Sequence, residues 1–505
     1  MYEGNYLAQH LRAASAAQSE RIFAKKLDNS VISYQTFFDG AEAIAKVLMS
    51  KGVRSNDRVA VQVDKSIEVL QLYIGAVLAG AVFLPLNTAY TASEVRYFIE
   101  DASPSLFVCD PNSYAELETI AKNLGVLAVE TLAADGSGSI TDFSKIDNTK
   151  PFKAVPRNAG DLAAFLYTSG TTGRSKGAML THENLWSNAN TLKEYWSFSD
   201  NDVLIHALPV FHIHGLFVAI NITLAAGSSL IFMPSFNADQ VVNAMSKATV
   251  LMGVPTFYVR LLNQGALSKE SVANIRLFVS GSAPLLAETH VKWQEKTGTA
   301  ILERYGMTET NMNTSNPYEG NRRPGTVGYP LPSVEVKITD PISGETLPTG
   351  EVGSIEVRGP NVFKGYWNMP EKTKEELREN GFFITGDLGM IDDQGYVSII
   401  GRSKDLIITG GYNVYPKEVE IVIDDLDGVI ESAVIGLPHT DFGEAVTAII
   451  VAESSAKLTE AGIKKALSVG IAKFKQPKQV FFTDELPRNT MGKVQKNVLR
   501  ATYSS

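Results

Sequence analysis

The sequence predicts an α/β protein: a long N-terminal part built on parallel sheet, an antiparallel stretch after it, and a small α+β module towards the C-terminal end. Three observations carry this. Short β-branched runs alternate with helix-like segments through the first part. After Gly325, alternating strands follow one another through tight polar turns. From Asn413, helices and strands alternate again. At 505 residues the chain exceeds what one hydrophobic core holds, and about two to four domains are expected.

Each element follows from its local pattern. RVAVQV (Arg58 to Val63) reads as a strand, SIEVLQLYIGAVLAG as a helix and AVFLPL as the next strand. The stretch Val69 to Leu86 invites a membrane reading. It is broken by Gln71, Gly75, Gly80 and Pro85, so it reads better as a buried helix followed by a strand. SLFVCD and the helix-like SYAELETIAKNLG repeat the alternation. VLIHALP, SSLIFMP, ATVLMGVP and IRLFVSGSAP are apolar strands that each end in Pro, Gly or Ser. Alternation of this kind implies a parallel sheet, whose ligand sites lie beyond the carboxyl ends of its strands. VEVKITD, GSIEVRG, GYVSIIG and KDLIITG, joined by DPISGE and DDQGY, read as antiparallel sheet. YPKEVEIVIDDLDG then reads as a helix, ESAVIGLP and AVTAIIVAES as strands, and LTEAGIKKALSVGIAKF as a helix. The boundary is expected at Gly401 to Asp405, dividing residues 1–401 from a module at 402–505.

Composition excludes several classes. A net charge of −9 argues against broad nucleic-acid binding, although it leaves room for a local basic pocket. Cys109 is the only cysteine, so neither an intramolecular disulfide nor a cysteine metal cluster can form, and it reads as inert core. The opening MYEGNYLAQHLR lacks the apolar run of a signal peptide, and the closing ATYSS is no peroxisomal or prenylation signal. A cytoplasmic protein without membrane or nucleic-acid partners is expected.

The stretch YTSGTTGRSKG (Tyr167 to Gly177) directly follows an apolar run. Gly170, Gly173 and Gly177 let backbone N–H groups converge, Thr168, Ser169, Thr171 and Thr172 add hydroxyls, and Arg174 and Lys176 add charge. Phosphate oxygens suit such a loop, yet its spacing is not that of the nucleotide-hydrolase loop GxxxxGK[ST]. Composition alone leaves a phosphate cradle and a solvated loop both open.

The full string YTSGTTGRSKGAMLTHENL is more specific. With SGSAPL (Ser280 to Leu285), ERYGMTET (Glu303 to Thr310), ITGDLG (Ile384 to Gly389), GRSKDLIITGGYNVYP (Gly401 to Pro416) and PRNTMGKVQK (Pro487 to Lys496), it resembles the adenylate-forming superfamily over nearly the whole chain. That superfamily comprises acyl-CoA synthetases, luciferases and the adenylation domains of peptide synthetases. HALPVFHIHGLFVA, LERYGMTETNMNTSNPYEG, GPNVFKGYWNMPEKT and LPRNTMGKVQKNVLR are similar to its malonyl-CoA synthetase family, the malonyl/methylmalonyl-CoA ligases. Ile213 departs from the small Thr that related sequences tend to carry there.

The resemblance implies two parallel-rich α/β sheets and a distorted β-barrel in a large N-terminal domain, with a small mobile α+β lid. It implies that an acid is activated by ATP to an acyl-adenylate and passed to coenzyme A, with Mg²⁺ as cofactor and malonate, ATP and CoA as small-molecule partners. On this resemblance Thr168, Ser169, Gly170, Thr171, Thr172, Gly173, Lys176 and Thr308 bind phosphate, and Thr168 and Glu309 hold the metal. Gly281, Ser282, Ala283, Glu303 and Tyr305 surround adenine, while Asp387 and Arg402 take the ribose. Lys493 is the catalytic cation: the first half-reaction brings two anions together, and an ammonium can bridge them. The lid turns about Lys404 and presents Gly410, Gly411 and Tyr412 to the CoA channel. Acetylation of Lys493 by a protein lysine acetyltransferase would remove its charge, though no residue marks it as a target.

The acid needs a separate argument. A dicarboxylate keeps a second negative charge after activation, and burying it unpaired costs several kcal/mol. Arg304 can take it bidentately, with Ser282, His212 and Met307 around the acid. The plain alternative for Arg304 is an ion pair with Glu303. His212 and His214, two residues apart, are weak as a metal site, and His212 reads as an aromatic gate with a place among the catalytic residues. A medium-chain or aromatic acyl-CoA synthetase, a stand-alone adenylation domain and a non-catalytic nucleotide-binding scaffold are the rival readings.

Overall fold

The computed structural model describes residues 2–144, 146, 151–168, 175–409, 412–439, 443–489 and 492–504. The chain divides into two compact units, residues 1–335 with 357–383, and residues 336–356 with 384–505.

The first unit is built on two sheets. In the six-stranded sheet, Arg58–Gln62 lies between Val82–Pro85 and Leu106–Cys109, all parallel. Leu162–Thr168 pairs parallel to Val82–Pro85 and antiparallel to Lys176–Thr181, which closes the sheet with a hairpin. The helix Ile67–Leu78 between the first two strands is buried along nearly its whole length, and its N-cap Ser66 accepts the Val69 N–H. The apolar stretch from Val69 is therefore the inner layer of an α/β fold. No described helix is long and apolar enough to cross a membrane.

The nine-stranded sheet runs through Val203–His206, Val250–Gly253, Leu277–Ser280 and Leu302–Met307, parallel to one another. Their apolar residues, with Trp293 and Tyr258 beneath, form a core of completely or nearly buried side chains. An N-terminal hairpin, Ile22–Lys26 with Val31–Ser33, joins the far edge by pairing parallel to Ser229–Phe232. The sheet ends at the other side in antiparallel Asn311–Ser315 and Tyr329–Pro330.

The second unit holds most of the four-stranded sheet of Glu335–Thr339, Gly353–Arg358, Phe383–Ile391 and Val397–Arg402, whose last two strands pair antiparallel. It also holds a five-stranded sheet around Gly443–Ala452. Helices Pro416–Asp424 and Glu460–Gly470 cover its core of Ile407, Val434, Val446, Ile450 and Leu467. The second helix was expected to continue to Phe474. It stops at Gly470, Ile471 turns extended, and both Ile471 and Phe474 fold back onto the core.

Candidate active site

In the first unit, the predicted residues lie at or just beyond the ends of the strands Leu162–Thr168, Leu277–Ser280 and Leu302–Met307. Thr168 is the last residue of its strand, and Lys176 opens the returning strand, with the Thr168 hydroxyl 3.5 Å from the Lys176 carbonyl. Gly177 has no Cβ because one would lie 1.7 Å from the Phe165 ring. Ser169, Gly170, Thr171, Thr172 and Gly173, with Arg174, lie outside the described residues, as do Gly410 and Gly411. Beyond the returning strand, Thr181 and Asn184 form a capping box that starts the helix His182–Tyr195.

Strand Leu302–Met307 sorts the next group by its pleat. Glu303 and Tyr305 face one side, Arg304 the other. Glu303 Oε1 accepts the Leu285 N–H at 3.1 Å and so supports the Gly281–Leu285 segment. In that segment Ser282 sits in the left-handed region at φ +73°, unusual for a residue with a side chain, and Ala283 is half-buried beside it.

Arg304 is buried, and its Nε and Nη2 have no hydrogen-bond partner among the described residues. It does not make the simple pair with Glu303 that its sequence neighbourhood offered as the alternative. Gly281 lies against it: a Cβ there would come within 2.4 Å of the Arg304 Cζ. Burial lowers the Arg304 pKa to about 9, against the support of Tyr258 and Glu303, and the guanidinium stays charged at neutral pH. A charged, buried fork with donors to spare has the chemistry to receive an anion.

The histidines divide differently from expectation. His212 packs on Phe211 with ring centroids 4.7 Å apart. Together with Thr308, Tyr167, Tyr90 and Asn87 it lines a small cavity. Burial lowers its pKa to about 4, so it is neutral at pH 7. Ser282 shares a hydrogen bond with His214, whose Nδ1 is 3.2 Å from the hydroxyl. His214 is completely buried, and desolvation together with the nearby Arg304 charge keeps it neutral. Sequence reading weighed His214 only with His212, as a weak metal pair, and gave it no further role. Ile213 is buried, and Met307 is half-buried at the end of its strand.

Glu309 is buried at 4% exposure, and the Tyr366 hydroxyl lies 3.0 Å from its Oε1. Lys176, expected on phosphate, makes an ion pair with Glu376 at 3.1 Å. Neither Tyr366 nor Glu376 was anticipated.

In the second unit, Asp387 and Arg402 face each other across adjacent antiparallel strands, with Arg402 Nε 2.6 Å from Asp387 Oδ1. Lys404 is exposed within the 3₁₀ turn Ser403–Asp405. Tyr412 is exposed and stacks on Phe474. The turn that carries Lys493 is pinned on both flanks. Asn489 exchanges two hydrogen bonds of 2.9 Å with the Lys493 backbone, Arg488 pairs with Glu431, and Lys496 Nζ lies 2.6 Å from Glu420. Desolvation, reinforced by the Arg402 charge, lowers the Lys493 pKa to about 8.

The chain belongs to the AMP-binding enzyme family, which it matches over residues 11–367, and it matches the AMP-binding enzyme C-terminal domain over residues 418–493. Among its relatives, malonate–CoA ligase of Arabidopsis thaliana is 34% identical, with 97% of this chain and 88% of that protein covered. Long-chain-fatty-acid–CoA ligase of Bacillus subtilis is 30% identical, with 97% and 93% covered. The crystal structure of ATP-bound MatB from Rhodopseudomonas palustris is 56% identical, covers 99% of both chains and superposes with a TM-score of 0.97.

Proposed function

We propose that this chain is an AMP-forming malonate–CoA ligase. A malonate carboxylate oxygen attacks the α-phosphorus of ATP, the bond to the β-phosphate breaks, and malonyl-adenylate and diphosphate result. The CoA thiol then loses its proton to solvent and attacks the acyl carbon, and AMP leaves with the bonding pair.

The observation that carries malonate is Arg304, a buried cation with Nε and Nη2 still able to donate, backed by Gly281 and placed beside neutral His214 and Ser282. The carboxylate that is not activated matches it in charge and geometry. A fatty or aromatic acid would leave that charge buried and unpaired, at several kcal/mol. Malonate–CoA ligases stand among the relatives, but so does a long-chain ligase, so the site itself must select the acid.

The remaining roles are those the resemblance implies. The 168–176 loop and Thr308 take the phosphates, Tyr305 and the Gly281–Ala283 segment take adenine, and Asp387, aligned by Arg402, accepts the ribose hydroxyls. Lys493 brings the charge that lets carboxylate and phosphate meet. Buried Glu309 and the Thr168 hydroxyl are hard oxygen donors that suit Mg²⁺, an ion that draws its other ligands from phosphate and water. When bound, it neutralises phosphate charge. The lone, buried Cys109, with burial pushing its thiol up to about 12, suits a reducing cytoplasm.

The test is diphosphate release with ATP, Mg²⁺ and CoA across mono- and dicarboxylates. Malonate should lead. Arg304→Ala should lower kcat/KM for malonate about a hundredfold while ATP binding stays near wild type. Equal activity with monocarboxylates, or unchanged malonate kinetics in the variant, overturns the reading.

A further inference from the structure

Among the described residues, one polar cluster joins the assigned Lys176 and Glu309 through two residues that have no role so far. Lys176 Nζ lies 3.1 and 3.2 Å from the two carboxylate oxygens of Glu376 and 4.1 Å from the centre of the Tyr366 ring. Its side chain is 9% exposed and that of Glu376 is 21% exposed. The Tyr366 hydroxyl lies 2.6 Å from Glu376 Oε2 and 3.0 Å from Glu309 Oε1. One phenol thus joins the carboxylate that holds the loop lysine to the carboxylate expected to face the metal.

The backbone repeats the connection. The Phe363 N–H donates to the Glu309 carbonyl at 2.8 Å. On its other flank, Lys364 donates to Met179, Met179 to Gly365, and Trp367 to Gly177. The Tyr366 N–H is held by the Thr373 hydroxyl at 2.9 Å, and Thr373 and Glu376 share the helix Pro370–Glu376. A single segment, 363–367, is therefore stitched both to the strand leaving the phosphate loop and to the residue after Met307 and Thr308.

We propose that Glu376 and Tyr366 are positioning residues for adenylation. Glu376 anchors Lys176 and so fixes the start of the strand Lys176–Thr181, and Tyr366 aligns Glu309 for a cation carried by ATP. On this inference Glu376 acts through Lys176, and Lys176 is not itself a phosphate ligand. An ammonium already shared by a carboxylate and an aromatic face gains less from a second anion than an unpaired one does. The inference rests on the reading of residues 168–176 as the ATP site.

The test is nucleotide binding by calorimetry on the full chain, with ATP–Mg²⁺ and with ATP in EDTA. Wild type must bind ATP–Mg²⁺; if it does not, the ATP-site reading fails rather than this one. Lys176→Met and Glu376→Gln should each weaken ATP–Mg²⁺ binding about tenfold, and the double variant no further, because coupled partners are not additive. The malonate KM should be unmoved. If Lys176 instead ligates phosphate, Glu376→Gln releases the ammonium and tightens ATP; that result, or additive losses, overturns the proposal. Tyr366→Phe keeps the ring and loses only the hydroxyl. It should raise the Mg²⁺ concentration needed for half-saturation while leaving binding in EDTA at the wild-type value. Should Glu376→Gln fail to fold, this second arm decides: an unchanged Mg²⁺ dependence sinks the role of the bridge.

Discussion

The ammonium of Lys493 shows how environment sets a residue's working range. Desolvation and the Arg402 charge disfavour the protonated form and lower the pKa to about 8, although Asp387 and Asp405 work the other way. Only the protonated form carries charge, so the competent fraction falls as pH rises through about 8 and is near complete below about 7. The adenylation half-reaction, followed by malonate-dependent exchange of diphosphate into ATP, should lose rate on the alkaline side with that midpoint. Lys493→Ala should abolish exchange while largely sparing thioester formation from supplied malonyl-adenylate; equal loss of both halves would remove Lys493 from its role. At this scale the sequence offers a role wherever a residue sits in a distinctive string, as Lys493 does in PRNTMGKVQK and Asp387 in ITGDLG. His214, Tyr366 and Glu376 were not readable. Their significance comes from partners 68, 57 and 200 positions away, which no local pattern encodes.

At the scale of elements, the pleat of Leu302–Met307 does the sorting. It puts Glu303 and Tyr305 on one face and Arg304 on the other, while the parallel neighbour Leu277–Ser280 delivers Gly281 behind the guanidinium. Gly281→Ala brings a Cβ within 2.4 Å of Arg304 Cζ, and a buried guanidinium has little room to retreat. That variant should raise the malonate KM by about tenfold or more with little change for ATP, read from initial rates at saturating CoA. An unchanged malonate KM would show that Arg304 does not need this support. The parallel strands were legible because apolar runs ended in Pro, Gly or Ser, and the helix Ile67–Leu78 because it is a mainly apolar run set between two of them. The N-terminal hairpin was not. Ile22–Lys26 owes its place to Ser229–Phe232, some two hundred residues later, and its own composition is ordinary. The strand Gln479–Thr483 and helix Lys496–Tyr503 were hidden similarly, one by pairing with Gly443–Ala452 and the other by a single buried face around Leu499.

Across the whole molecule, the proposed cycle asks one chain to serve two reactions with different geometric needs. The pivot proposed at Lys404 falls in the exposed turn Ser403–Asp405, where Arg500 pairs with Asp405 at 2.7 Å. A proline at position 404 fixes one backbone dihedral and so penalises a pivot more than a static turn. Lys404→Pro should slow thioester formation at least about tenfold more than diphosphate exchange, measured as separate half-reactions; equal, mild effects would leave the turn as a plain linker. The sequence by itself determined the α/β class, the family and the identity of the charged and hydroxyl residues, because periodicity and short motifs are local and survive without a fold. Only the tertiary structure decided which residues back one another: Gly281 behind Arg304, His214 on Ser282, and Tyr366 and Glu376 between Lys176 and Glu309. Such contacts arise when segments distant in the chain pack against one another, and packing at that range is set by the whole core rather than by any segment of it.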